Sequence, residues 1–202
     1  MKKGDRLELS VLDINNVGCG VCRHDGKVVF VKGAVTGDRI VATVIKDNKS
    51  FAVAKLDEVC ESSPMRATEK FCEAALSCGG CVYRHVTYEH EKQIKYNHVR
   101  SAFDKAGLPE VRVLEVLCAK DKTRGYRNKA QFPVANTKAG MRSGFYASKT
   151  HNIVPVDVCS IQHPSFAPIT RAVCELCDRY GIRAYDEMTR KGLLRHIYLR
   201  VG

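Results

Sequence analysis

The stretch "FCEAALSCGGCVYRH", residues 71 to 85, places Cys72, Cys78 and Cys81 in a C-x5-C-x2-C pattern within ten positions. Three thiols that share one ligand need a tight loop, and the rest of the fold must bring a further donor to it. A disulfide framework fits poorly, because pairing two of the three leaves one over. The opening residues MKKGDRLELSVLD run straight into a polar and apolar alternation rather than an uninterrupted apolar stretch, and no later run reaches the length of a membrane span. The expected compartment is therefore the cytoplasm, where thiols stay reduced. There, ten cysteines read as metal ligands plus small buried side chains.

Gly79 and Gly80 between the last two cysteines allow backbone amides to approach sulfur closely. Cys159, in "IVPVDVCSIQH", ends a strand-like run and is the favoured fourth donor; Cys60 and Cys118 are less well placed. An iron-sulfur cluster suits this set. Zinc is the rival, through Cys78 and Cys81 combined with Cys174 and Cys177. The second pair, however, falls in a predicted helix whose apolar side is read as Val173, Leu176, Cys177 and Tyr180, so packing accounts for it. Cys19 and Cys22 also form a C-x2-C, but in a strand residues three apart point to opposite faces and cannot readily share an ion. His24, His85, His98, His151 and His196 have no ligand spacing and are expected on the surface or facing RNA.

The fold class expected is α+β. Residues 1–59 read as a small OB-like β-barrel: "RLELSVLDI" alternates, and hairpin turns are expected at Asp25-Gly26 and Asp47-Asn48. Five short strands close most economically as a barrel, a form that often binds single-stranded RNA. Residues 60–202 read as a mixed α/β domain left incomplete. Its expected helix over 88–106 can be capped by Thr87, carries an apolar line of Tyr96, Val99, Phe103 and Ala106 at three-to-four spacing, and stops at Gly107 and Pro109. Strands are expected over 111–118, 126–135, 143–147 and 151–157, and a helix over 165–180 is closed by Gly181. A last strand lies in "LLRHIYLRVG". A strand at a terminus normally has a partner to follow, so a truncated domain is expected.

Lys and Arg number 33 against 22 Asp and Glu, a net +11, which favours a polyanionic partner. The excess is uneven: residues 1–60 carry 10 basic and 8 acidic groups, residues 84–149 carry 14 and 6. Within the basic stretch, "KDKTRGYRNKAQF" interleaves Lys120, Lys122, Arg124, Arg127 and Lys129 with Tyr126 and Phe132. Cations supply salt-sensitive affinity and rings stack unpaired bases, so these seven residues are the candidate RNA contacts. In the barrel, Arg6, Lys27, Lys32 and Lys46 offer phosphate contacts and Phe30 or Phe51 a stacking surface. Arg195, His196 and Arg200 are weaker candidates, since alternation separates His196 and Arg200 from Arg195.

"CGGCVYRHVTYEHEKQIKYNHVRSAF", "YRNKAQFPV", "GFYASKTHNIVPVDVCSIQHP" and "LLRHIYLR" resemble the iron-sulfur RNA (uracil-5-)-methyltransferases of the bacterial 23S rRNA type. Residues 4–44 resemble their TRAM domain. The resemblance implies a TRAM barrel, a central domain in which Cys72, Cys78, Cys81 and Cys159 hold a [4Fe-4S] cluster, and a helix near 88–106 that packs on a catalytic domain. It also implies a structured RNA partner, 23S rRNA; a monomer is expected. Family catalysis needs a nucleophilic cysteine, a carboxylate base and a glycine-rich loop for S-adenosylmethionine. No such loop, no Asp-Pro-Pro-Arg stretch and no late Ser-Cys-Asn type segment occurs here. S-adenosylmethionine is therefore expected only in a longer protein, and this chain alone is expected to be inactive. A stand-alone RNA-binding iron-sulfur protein is the alternative. Radical methylthiotransferases differ in their C-x3-C-x2-C motif and in carrying TRAM last.

Overall fold

The computed structural model describes residues 1–69, 72–75, 77–119 and 122–202. It divides into two compact units: Met1–Lys70 with Val82–Leu117, and Phe71–Cys81 with Cys118–Gly202. The α+β expectation holds, with ten strands and two helices among the described residues. None of the helices is long and apolar enough to cross a membrane.

The first unit contains β1 (Arg6–Ser10), β2 (Asp13–Ile14), β3 (Cys19–His24), β4 (Lys27–Lys32), β5 (Arg39–Asp47) and β6 (Phe51–Glu61), ordered β1-β5-β6-β4-β3-β2. The sheet thus has six strands rather than five. Because β2 continues β1 after two residues, one bent run pairs with β5 in its first half and β3 in its second. That bend closes the sheet, and Leu12 N–H donates to the Val21 carbonyl at 2.9 Å at the bend. Asp25 and Gly26 both take positive φ, 48° and 76°, the geometry of a type I′ hairpin. Alternate residues face inward to form a core of Leu7, Leu9, Val29, Val31, Ile40 and Val44 with their neighbours.

A cut at residue 60 does not match this unit. The carboxylate of Asp38, 1% exposed, accepts from Val35 N–H at 2.7 Å, from Ser63 N–H at 2.9 Å and from the Arg66 guanidinium. The segment after β6 is thereby tied to the barrel. Helix α1 (Tyr88–Lys105) then places Ile94 with Ile14, Val35 and Val86 in a second cluster. Thr87 caps α1, accepting from His90 N–H. The expected apolar line does not form its buried face: Val99 is 47% exposed, and Ile94 is the buried residue. Burying one Ile stabilises by about 2 kcal/mol, enough to orient a helix that is otherwise largely polar.

No strand forms over residues 111–119. The alternation of "VRVLEVL" is correct for a strand, but these residues find no paired edge. The Arg100 guanidinium binds the carbonyls of Leu108 and Val111, and Leu114 and Leu117 stay exposed.

In the second unit, β7 (Lys129–Thr137), β8 (Gly140–Tyr146), β9 (Ile153–Pro155) and β10 (His196–Arg200) form an antiparallel sheet ordered β10-β7-β8-β9. Helix α2 (Phe166–Arg179) covers one face. Ala130, Phe132, Val134, Met141 and Ile197 pack there with Phe166, Cys174 and Cys177. The buried stripe of α2 is Phe166, Thr170, Cys174 and Cys177, rotated from the expected one; Leu176 and Tyr180 are exposed.

Candidate metal centre and nucleic-acid interface

All four candidate ligands belong to the second unit: Cys72, Cys78 and Cys81 through the loop 71–81, and Cys159 through the segment after β9. Each is half-buried, and none is in a disulfide. Cys78 bridges to Ala147 just past the end of β8, and Gly79 N–H donates to the Tyr146 carbonyl at 2.8 Å. Glycine is required at 79 by close approach: a Cβ there would stand 2.9 Å from the Tyr146 oxygen and 3.0 Å from Ser148. Gly80 N–H points at Cys78 Sγ at 3.3 Å.

Burial raises the Cys159 thiol pKa. The backbone N–H groups of Ile161 and Gln162 oppose that rise, while Cys81 and Cys72 add to it by like-charge repulsion. Backbone amides aimed at sulfur, as at Cys78 and Cys159, are what a metal or cluster site needs. The donor chemistry therefore fits such a group. Among the described residues, no three His, Cys, Asp or Glu stand at ion-holding separations.

The rival sets fare worse. Cys174 and Cys177 lie in the core under α2, and burial, then Cys177, raises the Cys174 pKa. Cys22 is fully buried in the barrel and its thiol is pushed up to about 12, by burial first and then by Asp38, whereas Cys19 lies outside that core. Cys60 is exposed on β6 in the first unit, and Cys118 is half-buried where the second resumes.

Of the RNA candidates, Lys120 lies outside the described residues. Lys122, Arg124, Tyr126, Arg127 and Lys129 are exposed. Phe132 is not available: it is 5% exposed, packed against Phe145 and Phe166 at ring distances of 5.2 and 6.1 Å. Outward Lys129 and Gln131 force the residues between and after them inward. The basic run is held beside Cys159: Gly125 N–H donates to the Ser160 carbonyl, Arg127 N–H to the Ile161 carbonyl and His163 N–H to the Arg127 carbonyl, at 3.0, 2.9 and 2.9 Å. In the barrel, Lys27 pairs with Asp47, and Phe30 and Phe51 meet edge to face at 5.7 Å with Phe51 at the surface.

His85 departs from the expectation of a surface side chain. Its Nε2 is enclosed without a partner among the described residues, and its pKa is pushed down to about 4, by burial first and then by Arg66. A further aromatic group emerges only in three dimensions: Tyr146 Oη lies 3.2 Å from His196 Nε2, and the His151 ring is 5.4 Å from that of Tyr146. Fifty residues separate Tyr146 from His196, and no local spacing signals the pair.

Residues 1–56 match the TRAM domain family model. Over the whole chain the sequence is similar to uncharacterized RNA methyltransferases. One from Halalkalibacterium halodurans is 33% identical over 100% of this chain and 44% of its own length. One from Clostridium acetobutylicum is 37% identical over 99% of this chain and 44% of its own length. The chain thus spans under half the length of the curated relatives it matches. Among solved structures, the Pyrococcus abyssi tRNA (uracil-54, C5)-methyltransferase in complex with S-adenosyl-L-homocysteine superposes with a TM-score of 0.69. It is 22% identical, covering 96% of this chain and 42% of that one, a likeness of fold.

Proposed function

We propose that this chain is the RNA-binding, [4Fe-4S]-holding part of an S-adenosylmethionine-dependent RNA (uracil-C5)-methyltransferase of the cytoplasm, with 23S rRNA as its substrate. The observation that carries the reading is that Cys72, Cys78, Cys81 and Cys159 all fall in one unit, in a chain similar from end to end to RNA methyltransferases. A TRAM-matching barrel and the exposed basic run beside Cys159 support the RNA partner. When bound, the cluster supplies a covalent tie between the loop 71–81 and the segment at Cys159. The chain's own residues then keep that loop against β8 and hold the Arg124–Lys129 run in place beside it. No methyl-transfer residue is assigned to this chain.

Protein purified without oxygen is expected to be brown with about four irons per chain, and Cys159→Ala is expected to lower that content. Stoichiometric zinc in a colourless solution refutes the cluster. Labelled S-adenosylmethionine is expected to leave no methyl group on 23S rRNA incubated with this chain alone, while a filter assay retains the RNA.

A further inference from the structure

Helix α2 occupies one face of the sheet β10-β7-β8-β9, and the opposite face carries an ordered row of groups. Antiparallel register sets Lys129 opposite Arg200, Gln131 opposite Tyr198 and Pro133 opposite His196, and directly opposed residues share a face. Along β10, His196, Tyr198 and Arg200 therefore follow one another on this side at steps of about 6.8 Å. Two cations sit at one end, and a tyrosine ring that is 58% exposed sits in the middle. A cleft whose walls include Tyr146, His151, Asn152, Tyr185, Arg195 and His196 lies at the other end.

The cleft is built of flat groups. Tyr146 and His196 are in hydrogen-bond contact, His151 tilts over Tyr146, and the Arg195 guanidinium lies 3.5 Å from the centroid of the Tyr185 ring. Its carboxylates are already engaged. Glu187 meets His151 at 2.9 Å, and Asp186 accepts from the N–H groups of Met188 and Thr189 at 2.8 and 2.9 Å. An approaching anion thus meets acids whose charge is partly spent. Planar walls with hydrogen-bonding edges, a free ring and a cation pair at regular steps match the parts of an extended polynucleotide: base, base and phosphate. A duplex offers no base face to Tyr198.

Building on the RNA reading above, we infer that this face binds successive unpaired nucleotides of RNA. One base enters the cleft beside Tyr146 and His196, the next stacks on Tyr198, and the adjoining phosphate lies between Lys129 and Arg200. The test uses the full chain and a fluorescein-labelled, mixed-sequence single-stranded oligoribonucleotide, with the same sequence annealed to its complement as control, read by fluorescence anisotropy. Tyr198→Ala is expected to weaken single-strand binding roughly tenfold, Tyr198→Phe to restore it, and duplex binding to stay within about twofold of the unsubstituted chain. Arg200→Glu is expected to weaken single-strand binding and to flatten its salt dependence. Both side chains are exposed, and unchanged circular dichroism verifies folding. Wild-type single-strand affinity in Tyr198→Ala and Arg200→Glu, or equal losses for single strand and duplex, overturns the site while leaving RNA binding standing. An unsubstituted chain that binds neither RNA removes the RNA reading itself, and this site with it.

Discussion

Gly79 donates its N–H to the carbonyl of Tyr146 at 2.8 Å, so the loop carrying three cysteines is seated on the last residue of β8. The same residue turns its side chain toward His196 on the open face of the sheet. Loop and face therefore share one backbone position. Gly79→Ala would put a methyl group 2.9 Å from that carbonyl oxygen, and backbone on both sides leaves little room to yield. The expected cost is about 1–3 kcal/mol in urea unfolding of the second unit. A lowered iron-to-protein ratio in anaerobic preparations should accompany it, and an unchanged ratio would show that the loop reseats without loss.

The connector after β6 is held by charge rather than by apolar packing. Asp38 is buried with four donors around it, two backbone N–H groups and two guanidinium nitrogens of Arg66. Arg66→Ala keeps both backbone donors but leaves a buried carboxylate without its counter-ion. Breaking such a pair from one side costs about 3–5 kcal/mol. Because the Arg66 side chain keeps 19% of its surface in solvent, the lower end is expected, about 3 kcal/mol, in thermal or urea unfolding of the first unit. Asp38→Asn in the Arg66→Ala background should recover part of it, since the amide is neutral.

What the sequence made legible was local. The Asp25-Gly26 hairpin and the Thr87 cap each depend on residues within a few positions, and both appear where expected. Pairing and packing partners were not local. "VRVLEVL" has the period of a strand, but a strand also needs an edge. In α1, Ile94 is chosen over the line of Val99 and Phe103 by where Ile14, Val35 and Val86 lie. Phe132 could have been placed correctly: outward Lys129 and Gln131 fix an inward Phe132 by alternation, and the basic run around it concealed that. The Asp38–Arg66 tie and the Tyr146–His196 pair join residues 28 and 50 positions apart, beyond any spacing rule.

His85 sets a pH dependence in the first unit. Its native pKa of about 4 lies below the ordinary 6.5, because burial and the neighbouring Arg66 and Lys32 outweigh Asp38 and the Ala34 carbonyl. Above pH 6.5 the ring is neutral in both folded and unfolded chains and contributes nothing. As pH falls from 6.5 toward 4 the unfolded chain binds a proton that the folded one refuses, so stability falls through that window and levels off below it. The full loss is about 3 kcal/mol. His90, lowered in the same direction by burial, adds to it. Urea midpoints measured between pH 4 and 7 should rise with pH, and His85→Gln should flatten the profile; an equally steep profile in that variant would assign the effect elsewhere.

The run beside Cys159 offers the sharpest separation of charge from fold. The backbone of Gly125 and Arg127 is tied to Ser160 and Ile161 by hydrogen bonds that do not involve the side chains, and Arg124 and Arg127 are exposed. Arg124→Glu with Arg127→Glu therefore reverses charge while leaving the backbone hydrogen bonds of Gly125 and Arg127 in place. Each lost phosphate contact reduces the slope of log affinity against log salt by about 1, so the pair should lower it by about 2 and weaken binding to single strand and duplex alike. Tyr198→Ala should instead act on the single strand alone and leave the slope unchanged. If charge reversal leaves both affinity and slope at wild-type values, phosphates do not pass over Arg124 and Arg127, and the cations at Lys129 and Arg200 carry the electrostatic contact without them.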